Sequence, residues 1–297
     1  MAKKMTMADI ASLSGVGKST VSRYFNGGYV KDETRAKIHK VIEEYNYTPN
    51  AFARLNAKQS NVIGVVVPTL NSKITSRVIT SIDRYLREKG YTTLIQNSDH
   101  NIDQELQNIQ RLIQLNVDGI LISSIAITKD HKELLKKAGI PVVVLTQDYE
   151  AGISIIYDDY HAGKAMGEHI GKKGHQKVGY IGVYETDKAV GIERRNGVLD
   201  GLKEYGITPV IGKSDYSFLG GQTVARELLE KEPDLDAIIC ATDRLAFGTY
   251  KILHEYKKEI PEEVSVAAFG GYDESALLTP ELTTLKFDSY GMGYLGA

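Results

Sequence analysis

The chain has 297 residues and a formal net charge of −2, which is enough length for two or three domains with their own cores. Cys240 is the only cysteine, so an intrachain disulfide is excluded and a reducing compartment is favoured. We find no signal peptide and no apolar run near the roughly 18 residues of a membrane helix. We therefore expect a cytoplasmic protein without a membrane partner.

The charge is distributed unevenly along the chain. Residues 1–60 hold ten basic and five acidic residues, a net charge of +5. Residues 61–297 hold 26 basic and 33 acidic residues, a net charge of −7. A basic head on an acidic body predicts that the head contacts phosphate and that the body does not.

The first predicted element is a short amphipathic helix. Thr6 can cap its N-terminus, and Asp9 follows three residues later as in a capping box. The apolar stripe of this helix consists of Met7, Ile10, Ala11 and Leu13. The next three residues, Ser14–Val16, form a turn of the length that joins two crossed helices.

A second helix is predicted from about Gly17 to Phe25, with Val21, Tyr24 and Phe25 turned inward. Its outward side chains form a short, basic and hydroxyl-rich face: Lys18, Ser19, Ser22 and Arg23. Such a face is what entry into a DNA major groove requires. A helical hairpin without a role in DNA binding is the alternative at this point.

A phosphate-binding P-loop is a second alternative, because Gly15–Thr20 matches the end of that motif. The full motif needs a glycine where Ser12 stands, and it needs a buried strand in front. An amphipathic helix precedes the segment instead, so the sequence favours the helix-turn-helix.

A third helix through about Tyr45, with Asp32 as its cap, closes a three-helix domain. Its inward residues follow helical spacing: Thr34, Ile38, Val41, Ile42 and Tyr45. Pro49 ends this unit, and Asn50–Ser60 is polar and basic, which indicates a linker. The linker is rich enough in alanine to form a helical turn or two if something orders it.

From Val62 onward, short apolar runs alternate with amphipathic segments, as in a parallel sheet covered by helices. The first series of predicted strands is Val62–Val67, Thr92–Gln96, Gly119–Ser123, Val142–Thr146 and Ser154–Tyr157. The second series is Lys177–Gly182, Ala237–Ala241, Ser265–Phe269 and Thr283–Phe287, with helices such as Gly191–Tyr205 and Gln222–Lys231 between them. We expect an α/β body of two doubly wound lobes with a ligand cleft between them, at the carboxyl ends of the strands.

The motifs TMADIASLSGVGKSTVSRYFNG, ETRAKIHKVIEEYNYTPN, ERRNGVLDGLKEYGI and CATDRLAFGTYKIL occur in this order. In these motifs the chain resembles the lactose-repressor/galactose-repressor family of bacterial transcription factors over essentially its whole length. Within that family, SGVGKSTVSR is most similar to the trehalose-repressor branch. The resemblance implies a homodimeric, sugar-controlled repressor with a periplasmic-binding-protein-like body, which binds a pseudo-palindromic operator. The implied division is a DNA-binding domain (1–48), a hinge (49–60), a first lobe (61–158 and 288–297) and a second lobe (159–287).

The resemblance also assigns roles in DNA binding. Lys18 and Ser19 are the variable base contacts, and Arg23 is a fixed base contact. The residues implied to hold phosphates are Thr6, Thr20, Ser22 and Asn26, with a helix cap or a solvated face as the alternative for each hydroxyl. Leu55 is the candidate wedge into the minor groove. The usual Ala-Arg-x-Leu is one residue short here, so an ordinary linker residue is the alternative for Leu55.

For the sugar, the family pattern points to loops that follow the strands. The first-lobe candidates are Thr69, Asn71, Ser72, Ser123, Ser124, Gln147 and Asp148. The second-lobe candidates are Arg194, Tyr216, Phe218, Asp243 and Tyr272. Arg and Asp grip pairs of hydroxyls, and an aromatic ring faces the CH surface of a sugar. The alternative for Arg194 and Asp243 is a charge at a helix end, where Asp243 would cap the helix Arg244–Tyr256.

Three departures from the family pattern are visible. The trehalose branch holds a phosphosugar with basic side chains, whereas Thr69 and Gln147 stand here, so we expect an unphosphorylated disaccharide or related neutral sugar. The usual Gly-Phe-Asp is Ala268-Phe269-Gly270, which lacks one acidic position. Family members also continue by roughly a strand and a helix past the position of Ala297, so we expect further first-lobe elements there.

Other classes of protein have weaker support in the sequence. A solute-binding protein would suit the body, but the basic head and the missing signal peptide argue against it. We find no G-x-S-x-G elbow, no H-E-x-x-H and no paired metal ligands, so neither an enzyme nor a cofactor or metal is expected. Cys240 lies in an apolar run, which favours a buried structural thiol. Three histidines of the second lobe are interpreted as surface or turn residues: His161, His169 and His175. A regulator driven by a phosphoprotein partner instead of a sugar stays as the alternative function.

Overall fold

The structure is a computed structural model that describes residues 5–25, 28–47 and 60–297. It divides into two compact units, Met1–Ser60 and Asn61–Ala297. Each unit has its own buried apolar core.

The first unit contains the three predicted helices, α1 (Met7–Ser14), α2 (Lys18–Phe25) and α3 (Asp32–Glu44). The capping box is present at the start of α1: the Asp9 N–H donates to Thr6 Oγ1, and the Thr6 N–H donates to Asp9 Oδ2. Gly15 ends α1 at a left-handed φ of 67°, a conformation that glycine adopts without the steric cost of a Cβ. Ile10, Val21 and Ile38 are fully buried where the three helices meet.

Three local predictions in this unit are wrong. Tyr45 does not face inward, because it is 46% exposed at the C-cap of α3. Leu13 is not part of the buried stripe, because it is 50% exposed. Ser14 is buried in its place, and its hydroxyl donates to the Ile10 carbonyl at 2.6 Å, which removes the cost of burying a polar group. Asp32 is the first residue of α3 and not its cap; Lys31 holds the cap position without a side-chain bond.

The second unit consists of two five-stranded parallel sheets with helices between the strands. The first sheet contains β1 (Val62–Val67), β2 (Thr92–Asn97), β3 (Gly119–Ser123), β4 (Val142–Leu145) and β5 (Ile153–Ile155). Its helices are α4 (Lys73–Glu88), α5 (Ile102–Gln114) and α6 (Lys129–Lys137). The second sheet contains β6 (Val178–Val183), β7 (Val210–Ser214), β8 (Ala237–Cys240), β9 (Ser265–Phe269) and β10 (Thr283–Leu285). Its helices are α7 (Asp159–Lys172), α8 (Arg195–Lys203), α9 (Phe218–Lys231) and α10 (Asp243–Glu255). The last described helix is α11 (Ser289–Gly296), which packs on α4.

The predicted doubly wound α/β architecture is confirmed. Val65 and Val67 pack with α4 on one face of the first sheet, whereas Val66 packs with α5 on the other. The strand order is β2-β1-β3-β4-β5 in the first sheet and β7-β6-β8-β9-β10 in the second, so the two lobes repeat one topology. In such sheets ligands bind where the strand order reverses, which is between β1 and β3 and between β6 and β8.

The chain passes between the two sheets twice, once between β5 and α7 and once between β10 and α11. Tyr157 on the first crossing and Phe287 on the second contact each other, with ring centroids 4.7 Å apart. The two connections therefore pack together where they join the lobes.

The sequence missed or misplaced several elements of the second lobe. The edge strand β7 was not predicted, because its residues alternate between half-buried and exposed and form no apolar run. The predicted helix Gly191–Tyr205 is a seven-residue π-helix, Lys188–Arg194, followed directly by α8. Helix α9 begins at Phe218 and not at Gln222, because the Ser217 hydroxyl caps it by accepting the Gly220 N–H.

Candidate functional site

The candidate DNA-binding face lies on α2 and is largely open to solvent. Lys18, Ser19 and Arg23 are exposed, and Thr20 and Ser22 are half-buried. Val21 is fully buried on the opposite side, so the helix is held by its apolar face while the basic face is presented outward.

Helix α2 is held to α3 through Tyr24. The Tyr24 hydroxyl lies 3.2 Å from His39 Nδ1, and the Arg35 guanidinium lies 5.5 Å from the centroid of the Tyr24 ring. The Thr6 hydroxyl donates to Asp9 Oδ2 at 2.6 Å, so it acts in the capping box of α1. The predicted contacts Asn26 and Leu55 lie outside the described residues.

In the second unit, a cavity of about 360 Å³ lies at the carboxyl ends of both sheets. This volume is within the usual range of small-molecule sites. Nine of the twelve predicted sugar-binding residues line it: Thr69, Asn71, Ser72, Ser123, Ser124, Gln147, Arg194, Tyr216 and Tyr272. The structure thus brings together side chains that are up to about 200 positions apart in the sequence.

Four helix N-termini lie at the cavity, because helices follow strands β1, β6, β7 and β8. Ser72, Ser217 and Thr242 cap α4, α9 and α10, and Asp187 caps the π-helix. All four residues line the cavity. Capping groups and the partial positive charge of helix N-termini make this a polar wall suited to ligand oxygens.

Arg194 is the most constrained side chain of the cavity, since it is 95% buried. Its Nε and Nη2 donate to Asp159 Oδ1 at 2.8 and 2.5 Å, and Nη1 donates to the Ala241 carbonyl at 2.7 Å. The guanidinium lies between the rings of Phe269 and Phe287, 5.0 and 4.9 Å from their centroids. Three of its five N–H groups are engaged in these bonds, and the other two take part in none of them.

Ser124 lines the cavity but is tied to a buried network beneath it. Its hydroxyl lies 2.5 Å from Glu105 Oε1, and the same oxygen lies 2.9 Å from His131 Nε2. His131 Nδ1 in turn lies 2.8 Å from the Thr128 hydroxyl at the start of α6. Glu105 and His131 are at most 1% exposed. This network fixes the loop that follows β3, so Ser124 has a structural role.

Asp243 does not line the cavity, and it does not cap α10. It is fully buried, and its carboxylate accepts hydrogen bonds from the Tyr272 N–H, the Ser275 hydroxyl and the Thr284 hydroxyl. Burial raises its pKa, and these bonds offset part of that rise. Asp243 therefore anchors the loop after β9, which carries Tyr272 into the cavity.

The remaining two predicted sugar-binding residues also lie outside the cavity lining. Asp148 is exposed, and its carboxylate accepts a hydrogen bond from the Ser154 hydroxyl at 3.3 Å. Phe218 is 38% exposed at the first position of α9, next to the cavity-lining Ser217. Both residues lie close in sequence to the end of a strand, but this position does not bring either of them into the cavity lining.

Sequence reasoning missed several charged or titratable cavity residues, among them Asp159, Asp187 and His100. Asp187 is 8% exposed and accepts hydrogen bonds from the Tyr216 hydroxyl (2.5 Å), the Val190 N–H (3.0 Å) and Gln147 Nε2 (3.3 Å). Burial raises the pKa of Asp187, and the bonds from Tyr216 and Val190 lower it in part. Each residue follows the end of a strand, so that position was the signal that could have found them.

His100 of the first lobe stacks on Tyr216 of the second, with centroids 4.9 Å apart and ring planes 8° from parallel. One face of Tyr216 is therefore covered. Burial lowers the pKa of His100, against the opposing influence of nearby carboxylates. The neutral imidazole is thus favoured near pH 7.

The two lobes also contact each other beside the cavity. Arg77, which is 7% exposed, donates to the Gly271 carbonyl at 2.9 Å and to Asp273 at 3.1 Å. Lys73 pairs with Glu274 at 2.8 Å. These bonds join α4 to the loop after β9, so the structure shows the lobes in contact.

Comparison with known proteins assigns both units to one family. Residues 6–50 match the model of bacterial regulatory proteins of the lacI family. Residues 60–294 match the model of periplasmic binding proteins and the sugar binding domain of the LacI family. The sucrose operon repressor of Staphylococcus xylosus is 33% identical over 95% of this chain and 88% of its own length.

Solved structures have the same fold. A LacI-family transcriptional regulator from Silicibacter pomeroyi superposes with a TM-score of 0.87 at 24% identity, over 98% of this chain and 90% of that one. The lac repressor dimer bound to operator and an anti-inducer superposes with a TM-score of 0.86 at 24% identity, over 99% of this chain and 90% of that one.

The described residues contain no group of three or more His, Cys, Asp or Glu side chains placed to hold a metal ion. Within the same described ranges, none of the helices is both long and apolar enough to cross a membrane. The matches cover both the helix-turn-helix and the two-lobed unit, and the curated relative is a transcriptional repressor, not an enzyme. The chain belongs to the LacI family: it is a DNA-binding transcription regulator with a sugar-binding body.

Proposed function

We propose that this protein is a homodimeric, cytoplasmic repressor of a carbohydrate-utilisation operon, controlled by an unphosphorylated disaccharide or related neutral sugar. The observation that carries the proposal is a cavity between two lobes that hydrogen-bonding and apolar side chains line together, in the same chain as an exposed basic helix. The lac repressor dimer on its operator, which has the same fold, supports the dimeric arrangement.

For operator binding, we assign base contacts to Lys18, Ser19 and Arg23. Their exposure on α2, opposite the buried Val21, supports this assignment. The backbone contacts in the proposal are Thr6, Thr20, Ser22 and Asn26, and Leu55 is the proposed minor-groove wedge. The proposed division keeps residues 1–48 as the DNA-binding domain, 49–60 as the hinge, 61–158 with 288–297 as the first lobe and 159–287 as the second.

For the sugar, we assign the central contact to the two remaining N–H groups of Arg194. Asn71, Ser72 and Gln147 supply further hydrogen-bonding groups from the first lobe. The sucrose operon repressor as a relative, and the sequence resemblance to the trehalose-repressor branch, both favour a disaccharide. The first compounds to test are therefore sucrose and trehalose.

Control of DNA binding follows from thermodynamic linkage. The sugar needs only to prefer the state of the body in which the dimer binds its operator poorly. A 100-fold loss of operator affinity corresponds to about 2.7 kcal/mol of coupling. Operator affinity should also fall steeply with salt, because phosphate contacts release counterions.

The test combines calorimetry with a DNA-binding assay on the full chain. Sucrose or trehalose should bind with a stoichiometry of one per chain, and the bound sugar should change the affinity for a duplex selected from a random library. Arg194→Lys should weaken sugar binding while the sugar-free protein keeps its operator affinity. If no neutral sugar binds, or if a bound sugar leaves operator affinity unchanged, the proposed function is wrong.

A further inference from the structure

One end of the cavity concentrates negative charge around two aromatic rings. Asp187 bonds to the Tyr216 hydroxyl, Tyr216 stacks on His100, and Asp99 and Asp215 are the sequence neighbours of this stack. All five residues line the cavity. We call these five residues the acidic end.

Asp187 is the buried carboxylate of the acidic end, whereas Asp99 and Asp215 are exposed. Its three hydrogen-bond donors are an amide, a phenol and a backbone N–H, all of them neutral. None of the ion pairs among the described residues involves Asp187. The charge of this carboxylate is therefore balanced by dipoles and not by a directly bonded cation.

Arg194 offsets this charge only in part: its positive charge lowers the pKa of Asp187, whereas the charge of Asp159 raises it. Arg194 is held by two bonds to Asp159, so this pair is neutral as a unit. Arg244 lies elsewhere on the lining, where its Nη1 donates to the Asn71 carbonyl at 2.8 Å. An anionic group placed at the acidic end would meet a buried negative charge in a medium of low dielectric constant, where repulsion is much stronger than in water.

A hydroxyl group would have the opposite effect. A carboxylate offers about four acceptor sites, and three of those on Asp187 are used. The remaining site can accept an O–H, and a bond from a neutral donor to a charged acceptor is stronger than one between neutral groups. The stack with His100 holds the Tyr216 ring so that its hydroxyl stays on Asp187.

We infer that Asp187 selects the effector by charge: it accepts a hydroxyl of a neutral sugar at the acidic end and excludes phosphorylated or carboxylated sugars. This inference depends on the proposed function, because it concerns the effector of the same cavity. The selection between neutral and anionic sugars is thereby assigned to Asp187, a residue that the resemblance to the family did not indicate.

The experiment compares the wild-type protein with Asp187→Asn. Asparagine removes the charge, keeps the shape and is as good a helix N-cap as aspartate. Asp187→Ser is the second variant, since serine also keeps a capping oxygen. Asp99→Asn is the matched control, because it removes the same charge from an exposed position on the same lining.

The probes are sucrose and trehalose with their 6-phosphates, and calorimetry measures each dissociation constant. Asp187→Asn should bind a sugar phosphate at least about 10-fold more tightly than the wild type does, and should bind the parent sugar more weakly. Asp99→Asn should bind a sugar phosphate at most about twofold more tightly than the wild type does, because solvent screens the Asp99 carboxylate. Thermal unfolding of each variant checks that the body is folded.

The two hypotheses fail in different ways. If neither Asp187 variant binds a sugar phosphate more tightly than the wild type does, Asp187 does not select by charge. The same conclusion holds if Asp99→Asn increases the affinity for a sugar phosphate as much as the Asp187 variants do. If the wild type binds neither neutral sugar, the proposed function is contradicted. The gain for phosphates in the variants still decides the role of Asp187 in that case.

Discussion

The candidate DNA-binding face of the first unit and the cavity of the second hold their polar side chains in opposite ways. Lys18, Ser19 and Arg23 are exposed on α2, whereas Gln147 and Arg194 are about 95% buried and bonded to other protein groups. DNA brings its own phosphates and base edges, so the protein needs only mobile cations on a rigid helix. A small sugar must be enclosed, so the groups around it are paired beforehand.

The difference has an energetic consequence. Removing an exposed cation from α2 changes affinity and leaves the fold intact. Removing a buried cation from the cavity leaves its partner charge buried and unpaired, which affects folding and binding together. Variants of the cavity therefore need a separate measurement of stability, whereas variants of the candidate DNA-binding face should show no change in a folding control.

Arg194→Met should have the largest effect on stability, because it leaves the Asp159 carboxylate buried beside two phenylalanine rings. We expect a loss of about 3–5 kcal/mol in the free energy of unfolding of the body, measured with urea. Adding Asp159→Asn should recover part of the loss. The matched control is Arg226→Met at the exposed Arg226–Glu255 pair, with a cost below about 1 kcal/mol. Equal losses for the two arginines would contradict the comparison.

Cys240 provides a probe of the body alone, since it is the only cysteine of the chain. Burial raises the pKa of its thiol to about 12, although a bond with the Thr249 hydroxyl works in the opposite direction. At pH 8.5 the reactive thiolate should be more than about a thousandfold rarer than for an ordinary thiol. Iodoacetamide labelling should therefore be slow in the native protein and fast in urea. Rapid labelling of the folded protein would show that the apolar core around Cys240 is open to solvent.

Lys18→Ala together with Arg23→Ala should abolish the choice of one duplex over scrambled competitors. Each base contact contributes about 1–3 kcal/mol of discrimination. Competition binding measures this loss, and circular dichroism should show no change in folding. The control is Lys37→Ala on the exposed side of α3, where the side chain pairs with Glu33. If the double variant still selects one duplex over scrambled competitors as well as the wild type does, α2 is not the recognition helix.

Thr6→Ala should have the smallest effect of the four. It removes the cap of α1 and the reciprocal bonds with Asp9, at a cost of about 1 kcal/mol. Faster amide hydrogen exchange in α1 of the full chain measures this loss. Ser12→Ala on the same helix is the control, because Ser12 is exposed and is not the cap. Unchanged exchange after Thr6→Ala would mean that packing on Ile10, and not capping, holds α1.

Sequence patterns predicted the position of the site in each lobe, but not every residue that lines it. Alternation of apolar runs with amphipathic segments predicted parallel sheets, and polar residues at strand ends predicted where a ligand binds. Nine of twelve candidate residues do line the cavity. The pattern could not tell Ser217 from Phe218, although only the first of these neighbours faces the cavity.

The sequence by itself determined the features that depend on local order along the chain: the three helices of the first unit, its capping box and glycine turn, and the parallel strands of the body except β7. Only the tertiary structure decided which partners each polar group has. Asp243 anchors a loop, Asp187 receives the Tyr216 hydroxyl and Arg194 pairs with Asp159, across sequence separations of about 30 to 40 residues. Helical and strand periodicity follow from backbone geometry over a few residues, whereas such pairings depend on how distant elements pack.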